Sequence, residues 1–468
     1  MIVWLILVGC TTESSDSASA NIVPIPEWKD TITVEDVGAD VSFSTAKECG
    51  ECHPSHLAEW EQSMHAYAIH SPVFEAMAKK AFRDTSGEVG TFCTGCHTPI
   101  GTIQGEGGNM NVSERSTISK DSVSCEVCHS AVDHAEPVGN LSLEMTTTGE
   151  IYGPYQSEAL EGHESVQSDF LQSPEVCGSC HDVFNYPGLR IEEAYTEFSA
   201  SPAKEANLSC QDCHMSPTPG VKSERPVEEI AVVVGKTYPA RERSSHRFIG
   251  PDYSLIDTFP YPDDLERSQV AQAEMLQQIQ QLLQNSIQLG DVWLDNTTED
   301  RKLHVTLESL TAGHNVPTGF TSERQLWVDV VVRNGAGSVL FSSGQLDDYG
   351  DLYDAHSWEV SQYPDRLDTQ LVNLQSKNKM RYGEVELPTS IETVFPFDAD
   401  YIEKHSLKPL EQRVVSYDLP NGINLQDVTI SVQLKYRNLP PYILRELQLS
   451  DLVERLQIFT IDSVEIEG

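Results

Sequence analysis

Two textures of hydrophobic and polar positions divide the chain. After Asp291, short apolar runs alternate with polar residues: LHVTL at 303–307, LWVDVVV at 326–332 and VTISVQLKY at 428–436. In the last of these Val428, Ile430, Val432, Leu434 and Tyr436 share one face, as in a strand with one side buried. Asn334-Gly335 supplies a hairpin turn. The pattern predicts a β-sandwich over residues 291–468.

Upstream the periodicity is helical. The stretch from Leu265 to Leu289, rich in Gln, Ala and Leu, reads as one long helix and forms a connector over 265–290. Further back, Ser55 is placed to cap a helix through HLAEWEQSMHAYAIH, and VFEAMAKKAF continues the pattern after Pro72. These helices are separated by Gly- and Pro-rich loops such as GTIQGEGGN. Residues 10–44 are a polar stalk broken by Pro24 and Pro26, and residues 1–9 are an apolar run too short to span a bilayer. The fold class is therefore α+β, with a mainly helical, loop-rich domain over 45–264 and the sandwich after it.

Cysteine changes this picture. Ten of the eleven fall in five CxxCH pentapeptides: Cys49, Cys52 and His53; Cys93, Cys96 and His97; Cys125, Cys128 and His129; Cys177, Cys180 and His181; Cys210, Cys213 and His214. CxxCH is the attachment signature of a c-type haem. Two cysteines three apart can form thioethers to the two vinyl groups of one porphyrin, and the adjacent histidine then sits under the iron as proximal ligand. Zinc needs CxxC units in pairs, which an odd number of units each followed by His matches poorly. Disulfides give no reason for the histidine that closes every motif. With roughly 41 residues per motif between 45 and 250, an ordinary side-chain core cannot form between the sites, so the five porphyrins are themselves the core.

The formal charge of −41 excludes a nucleic-acid partner, because phosphate binding needs a basic face. It fits a solvated exterior and cationic partners. A haem iron held by one histidine is either capped on its other face or left open for chemistry. Of fifteen histidines, the ten outside the motifs are candidates for five distal positions. His65, His163, His246 and His314 stand in EWEQSMHAYA, EGHESVQSDF, SSHRFIG and TAGHNVPTGF, each read either as a ligand or as a polar surface residue. His70 and His134 compete for a fifth place, whereas His56, His304, His356 and His405 read as surface or strand residues. Met215 directly follows His214 and cannot swing to the opposite face of the same porphyrin, so it reads as packing. Hydrolytic and phosphate-loop motifs do not occur.

CGECHPSHLAEWEQSMHAYA, FCTGCHTPIG, SCEVCHS, SPEVCGSCHDV and SCQDCHM, followed by SHRFIG and AGHNVPTGF, resemble the multihaem c-type cytochromes of the cytochrome c554 and hydroxylamine oxidoreductase group. The resemblance covers roughly residues 45 to 335 and is weaker in LKYRNLPPYIL. It implies five haems held in series, with the histidines matching His65, His163, His246 and His314 as distal ligands; no motif assigns the fifth. It also implies export, since c-type haem is attached outside the bacterial cytoplasm. Residues 1–9 then read as an export signal, and Leu7-Val8-Gly9-Cys10 resembles the lipobox of bacterial lipoproteins, which makes Cys10 the lipidation site of a protein facing the periplasm or cell surface; the alternative is a plain secretory signal with a chance cysteine. The expected function is a tethered electron conduit between redox partners, among them other multihaem cytochromes or copies of itself. The alternative is a multihaem oxidoreductase with one open haem site for a small nitrogen or sulfur compound. Nothing in the sequence supplies a recognisable catalytic base, which favours the conduit.

Overall fold

The computed structural model describes residues 42–146, 148–156, 162–185, 188–296, 301–382 and 389–468. Cys10 and the stalk to residue 41 lie outside them. The α+β reading holds, with short helices and small hairpins first and a strand-rich region after residue 287.

In the first region the chain forms α1 (Pro54–Trp60), α2 (Met64–Tyr67) and α3 (Pro72–Asp84). The single helix expected through HLAEWEQSMHAYAIH is thus two. Its first turn follows His53 with Pro54 at the first helical position, not Ser55 as cap. The break comes at Ser63, which is buried: its hydroxyl donates to the Trp60 carbonyl at 2.7 Å and accepts from the Ala66 amide at 3.3 Å, ending one helix and capping the next. Ser71 caps α3 in the same way, through the Phe74 amide. A small hairpin, β1 (Val183–Phe184) with β2 (Arg190–Glu192), leads into α4 (Ala194–Ser199). Apolar clusters in this region are small, one around Ile100, Val127 and Leu141 and another of Ala46, Trp60 and Ala66.

The long helix, α5 (Leu265–Ser286), is capped by Asp264, whose carboxylate accepts from the Arg267 amide at 3.0 Å. It stops three residues short of Leu289 because Ile287 turns extended and pairs with Ser309. Ile287–Asn296 becomes β3 and is followed by β4 (Arg301–Ser309), β5 (Gln325–Asn334) and β6 (Val339–Ser343). Next come β7 (Lys377–Tyr382), β8 (Thr389–Glu392), β9 (Tyr401–Glu403), β10 (Gln412–Asp418), β11 (Val428–Arg437) and β12 (Phe459–Glu467). One antiparallel sheet runs β10-β4-β3 and the other β6-β5-β11-β12, while β8-β7-β9 forms a small third sheet.

The alternation read in the sequence is what closes the sandwich. Leu303, Val305 and Leu307 of β4 and Val328, Val330, Val332, Ile430, Val432 and Leu434 of the facing sheet are all 0% exposed and share one core. Met275, Ile279, Leu282 and Leu283 of α5 belong to that same core, so the second half of the helix read as a connector packs onto the sandwich. The β5–β6 turn begins at Asn334 but is longer than a two-residue Asn-Gly turn. The Asn334 side-chain oxygen accepts from the Ala336 and Ser338 amides, and Gly337, at φ 81°, provides the left-handed residue.

The two regions are joined by specific contacts. Arg324 holds Asp252 with two bonds of 2.9 Å, the Asn185 side-chain amide donates to the carbonyls of Pro396 and Ala399, and the Ala203 backbone amide donates to the Ala312 carbonyl at 3.1 Å. No helix among the described residues is long and apolar enough to cross a membrane.

Candidate functional site

Helices hold three of the CxxCH motifs whole, Phe92–His97, Cys125–His129 and Cys210–His214, whereas Ala46–Gly50 and Glu175–Gly178 carry only the first cysteine of the first and fourth motifs, which continue as turns. Residues three and four apart lie on one helix face, so the turn presents both sulfurs and the imidazole to the same side. The His53 amide, for example, bonds the Cys49 carbonyl at 3.0 Å, and the His181 amide bonds that of Cys177 at 2.9 Å. None of the ten described cysteines is in a disulfide.

The outer ring nitrogen of every motif histidine is engaged. Nδ1 of His53 donates to the Ile230 carbonyl at 2.6 Å, His97 to Ala68 at 3.1 Å, His129 to Tyr152 at 2.6 Å and His214 to Ile249 at 2.9 Å. His181 differs: its Nδ1 donates to the carboxylate of Glu192 at 3.2 Å. A proton fixed on Nδ1 leaves Nε2 with its lone pair directed to the other side, which is the form an axial ligand needs.

The structure pairs four motif histidines with the four others singled out in the sequence. Ring centroids are 6.3 Å apart for His53 and His163, 6.3 Å for His65 and His181, 6.5 Å for His129 and His246, and 6.1 Å for His214 and His314. A metal–imidazole bond is about 2.0 Å, so an ion held between two axial rings sets their centroids roughly 6 Å apart. The four pairs therefore fit an iron ligated from both faces, and three of the opposing rings are oriented through Nδ1 as the motif histidines are. His246 Nδ1 donates to Ser244, His163 to Glu164 and His314 to Asn315. Burial pushes His65 and His246 down to about 3 and His97 and His314 down to about 4, so these rings are neutral. At His181 burial also acts downward, but the hydrogen bond and charge of Glu192 outweigh it and raise the ring to about 9.

Among the described residues His97 has no such partner. Phe74 of α3 stacks on its ring at 3.8 Å, and among the described residues no histidine stands opposite it at the spacing of the four pairs. His70 is turned to the Lys120 carbonyl through Nε2 at 2.8 Å, and His134 lies over Phe170 with its Nδ1 near the Ala135 carbonyl. Neither is brought to His97. His56, read as a surface residue, instead sits among the site rings, 5.7 Å from His53 and 4.7 Å from His246, its buried Nδ1 unpartnered among the described residues. His304 stacks on Trp293 in the β3–β4 pair, His356 stacks on Tyr442, and Nδ1 of His405 donates to Gln375.

Cysteines of different motifs meet. Cys49 lies close to Cys125, Cys96 to Cys180 and Cys177 to Cys210, and Cys128 is near Cys177 and Cys180. The fourth motif therefore touches the second and the fifth, and the first touches the third. Glu197 of α4 is a further site residue the sequence did not mark. Its carboxylate accepts from the Asn315 amide at 3.1 Å, the Asn315 side chain at 2.5 Å and the Thr318 hydroxyl at 2.6 Å, so it clamps the loop that carries His314.

The family model described as cytochrome c554 and c-prime matches residues 48–130, a span holding the first three motifs. Among solved structures the chain is similar to a penta-heme cytochrome c552 from Thermochromatium tepidum, at 17% identity over 90% of this chain and 99% of that one, with a TM-score of 0.58. At that identity the likeness is one of fold. No curated protein matches the chain.

Proposed function

We propose that this chain, a multihaem c-type cytochrome of the cytochrome c554 group, is a pentahaem electron conduit tethered outside the cytoplasm and exchanging electrons with redox proteins. Haem, when bound, supplies one-electron chemistry at each site. The observation that carries the reading is the set of four histidine pairs at the spacing of two axial ligands. A site closed on both faces favours electron transfer over substrate chemistry, because a substrate would first have to displace a buried imidazole. The contacts between cysteines of different motifs support transfer in series. His314 closes its site from the strand-rich region, which gives that region a part in the conduit.

The His97 site favours a second reading. With Phe74 beside it and no histidine opposite among the described residues, it suits a small nitrogen or sulfur compound at an open iron. The two readings separate on the purified, fully loaded protein. A conduit takes up five electrons per chain and passes them to an acceptor protein, with no turnover of hydroxylamine, nitrite or sulfite. Sustained turnover of any of these, abolished in His97→Ala, establishes the oxidoreductase instead. The tether rests on the lipobox-like Leu7-Val8-Gly9-Cys10. Cys10→Ala releases the protein into the soluble fraction if that reading is right, and a variant that stays membrane-bound through salt washes removes it.

A further inference from the structure

We propose that Glu192 tunes the site built on Cys177, Cys180 and His181, giving it the lowest reduction potential of the five. The inference rests on the reading of the five motifs as haem sites. Four of the motif histidines donate from Nδ1 to a neutral backbone carbonyl, and only His181 donates to a carboxylate. The β1–β2 hairpin makes this contact: Glu192 pairs with Val183, two residues beyond His181, and its side chain is turned inward at 6% exposure. The cation nearest along the strand, Arg190, is engaged elsewhere, its guanidinium 3.1 Å from Asp182 and over the ring of Phe184.

A buried carboxylate draws the Nδ1 proton more strongly than a carbonyl does, and so makes the imidazole a stronger electron donor at Nε2. Its negative charge, in surroundings of low dielectric, adds to the same effect. Both stabilise the more positively charged oxidised iron, so the potential falls.

The position of this site gives the tuning a consequence. Cys180 meets Cys96 and Cys177 meets Cys210, so the tuned site stands between the His97 site and the site of His214 and His314. Glu192 thereby makes the middle of that path the last place to hold an electron at equilibrium. Electrons collect at the flanking sites, and the middle one relays without storing.

The test is a potentiometric titration of the fully loaded protein at fixed pH, followed by optical and electron paramagnetic resonance spectra. Glu192→Gln keeps the shape and the hydrogen bond but removes the charge. It is expected to move the lowest of five midpoint potentials upward, to leave the other four in place and to shift the g values of one low-spin signal. Glu192→Asp, which keeps the charge but lengthens the contact, moves the same step by less; it serves as the readout should the glutamine variant fail to load. Five unchanged potentials in whichever variant loads overturn the proposal. A wild-type protein without five covalent haems overturns the reading of the sites instead, and a haem stain on a denaturing gel separates the two failures.

Discussion

Single residues carry most of the chemistry here, and His314 shows how they do it. It comes from a loop one hundred positions beyond His214 and meets that ring at 6.1 Å, with Glu197 holding the loop through Asn315 and Thr318. His314→Ala should convert one low-spin centre to high-spin and let it bind carbon monoxide when reduced. Glu197→Ala should give a weaker version of the same spectrum, because the loop loses its clamp while the ligand remains. Visible and electron paramagnetic resonance spectra of the two variants check both. The histidines were legible in the sequence because CxxCH is specific and because His65, His163, His246 and His314 stand in text shared with a known group. Glu192 and Glu197 were not. A carboxylate in Arg190-Ile191-Glu192 or Glu197 in an acidic stretch looks like any solvated charge until a hairpin or a second region folds over it.

At the scale of elements, hydrophobic period was a good guide where an element is long and packs on one side. The β4, β5 and β11 faces follow their alternation residue by residue, and α5 follows its helical stripe as far as Ser286. It failed at Ser63, where two side-chain bonds to the backbone outweigh the helical propensity of the flanking residues. Since α5 is built into the sandwich core, Ile279→Ala should destabilise the strand-rich region by about 2–5 kcal/mol, read from its chemical denaturation. Acid should act through the small third sheet. Glu392 of β8 holds His356 at 2.6 Å and Lys377 at 3.2 Å. Burial acts to raise its pKa, but these bonds outweigh it and hold the carboxyl at about 2, below its ordinary 4.5. A carboxyl lowered in the fold stabilises at pH above the ordinary value, and the contribution is lost as pH falls from about 4.5 through about 2. Melting temperature should fall over that window, and Glu392→Gln should flatten the fall.

The whole molecule combines a strongly acidic chain with sites packed against one another. A formal charge of −41 steers cationic partners, and the steering weakens as salt shortens the Debye length, about 10 Å at 0.1 M. Electron-transfer rates with a basic redox partner should therefore fall as ionic strength rises, and a flat profile in stopped-flow measurements would remove steering from the account. What the sequence could not show at this scale was which ring meets which. His65, 12 residues after His53, goes to His181, and His246 goes back to His129. These pairings are set by packing between segments far apart in the chain, which no local pattern encodes. The measurement that tests the pairing most directly is a spin-state count by Mössbauer spectroscopy on the oxidised, iron-57-enriched protein. Four histidine pairs and an unpaired His97 predict five covalent haems per chain, four low-spin and one high-spin. Fewer than four low-spin centres, or a fifth low-spin centre with two histidine ligands, would contradict it.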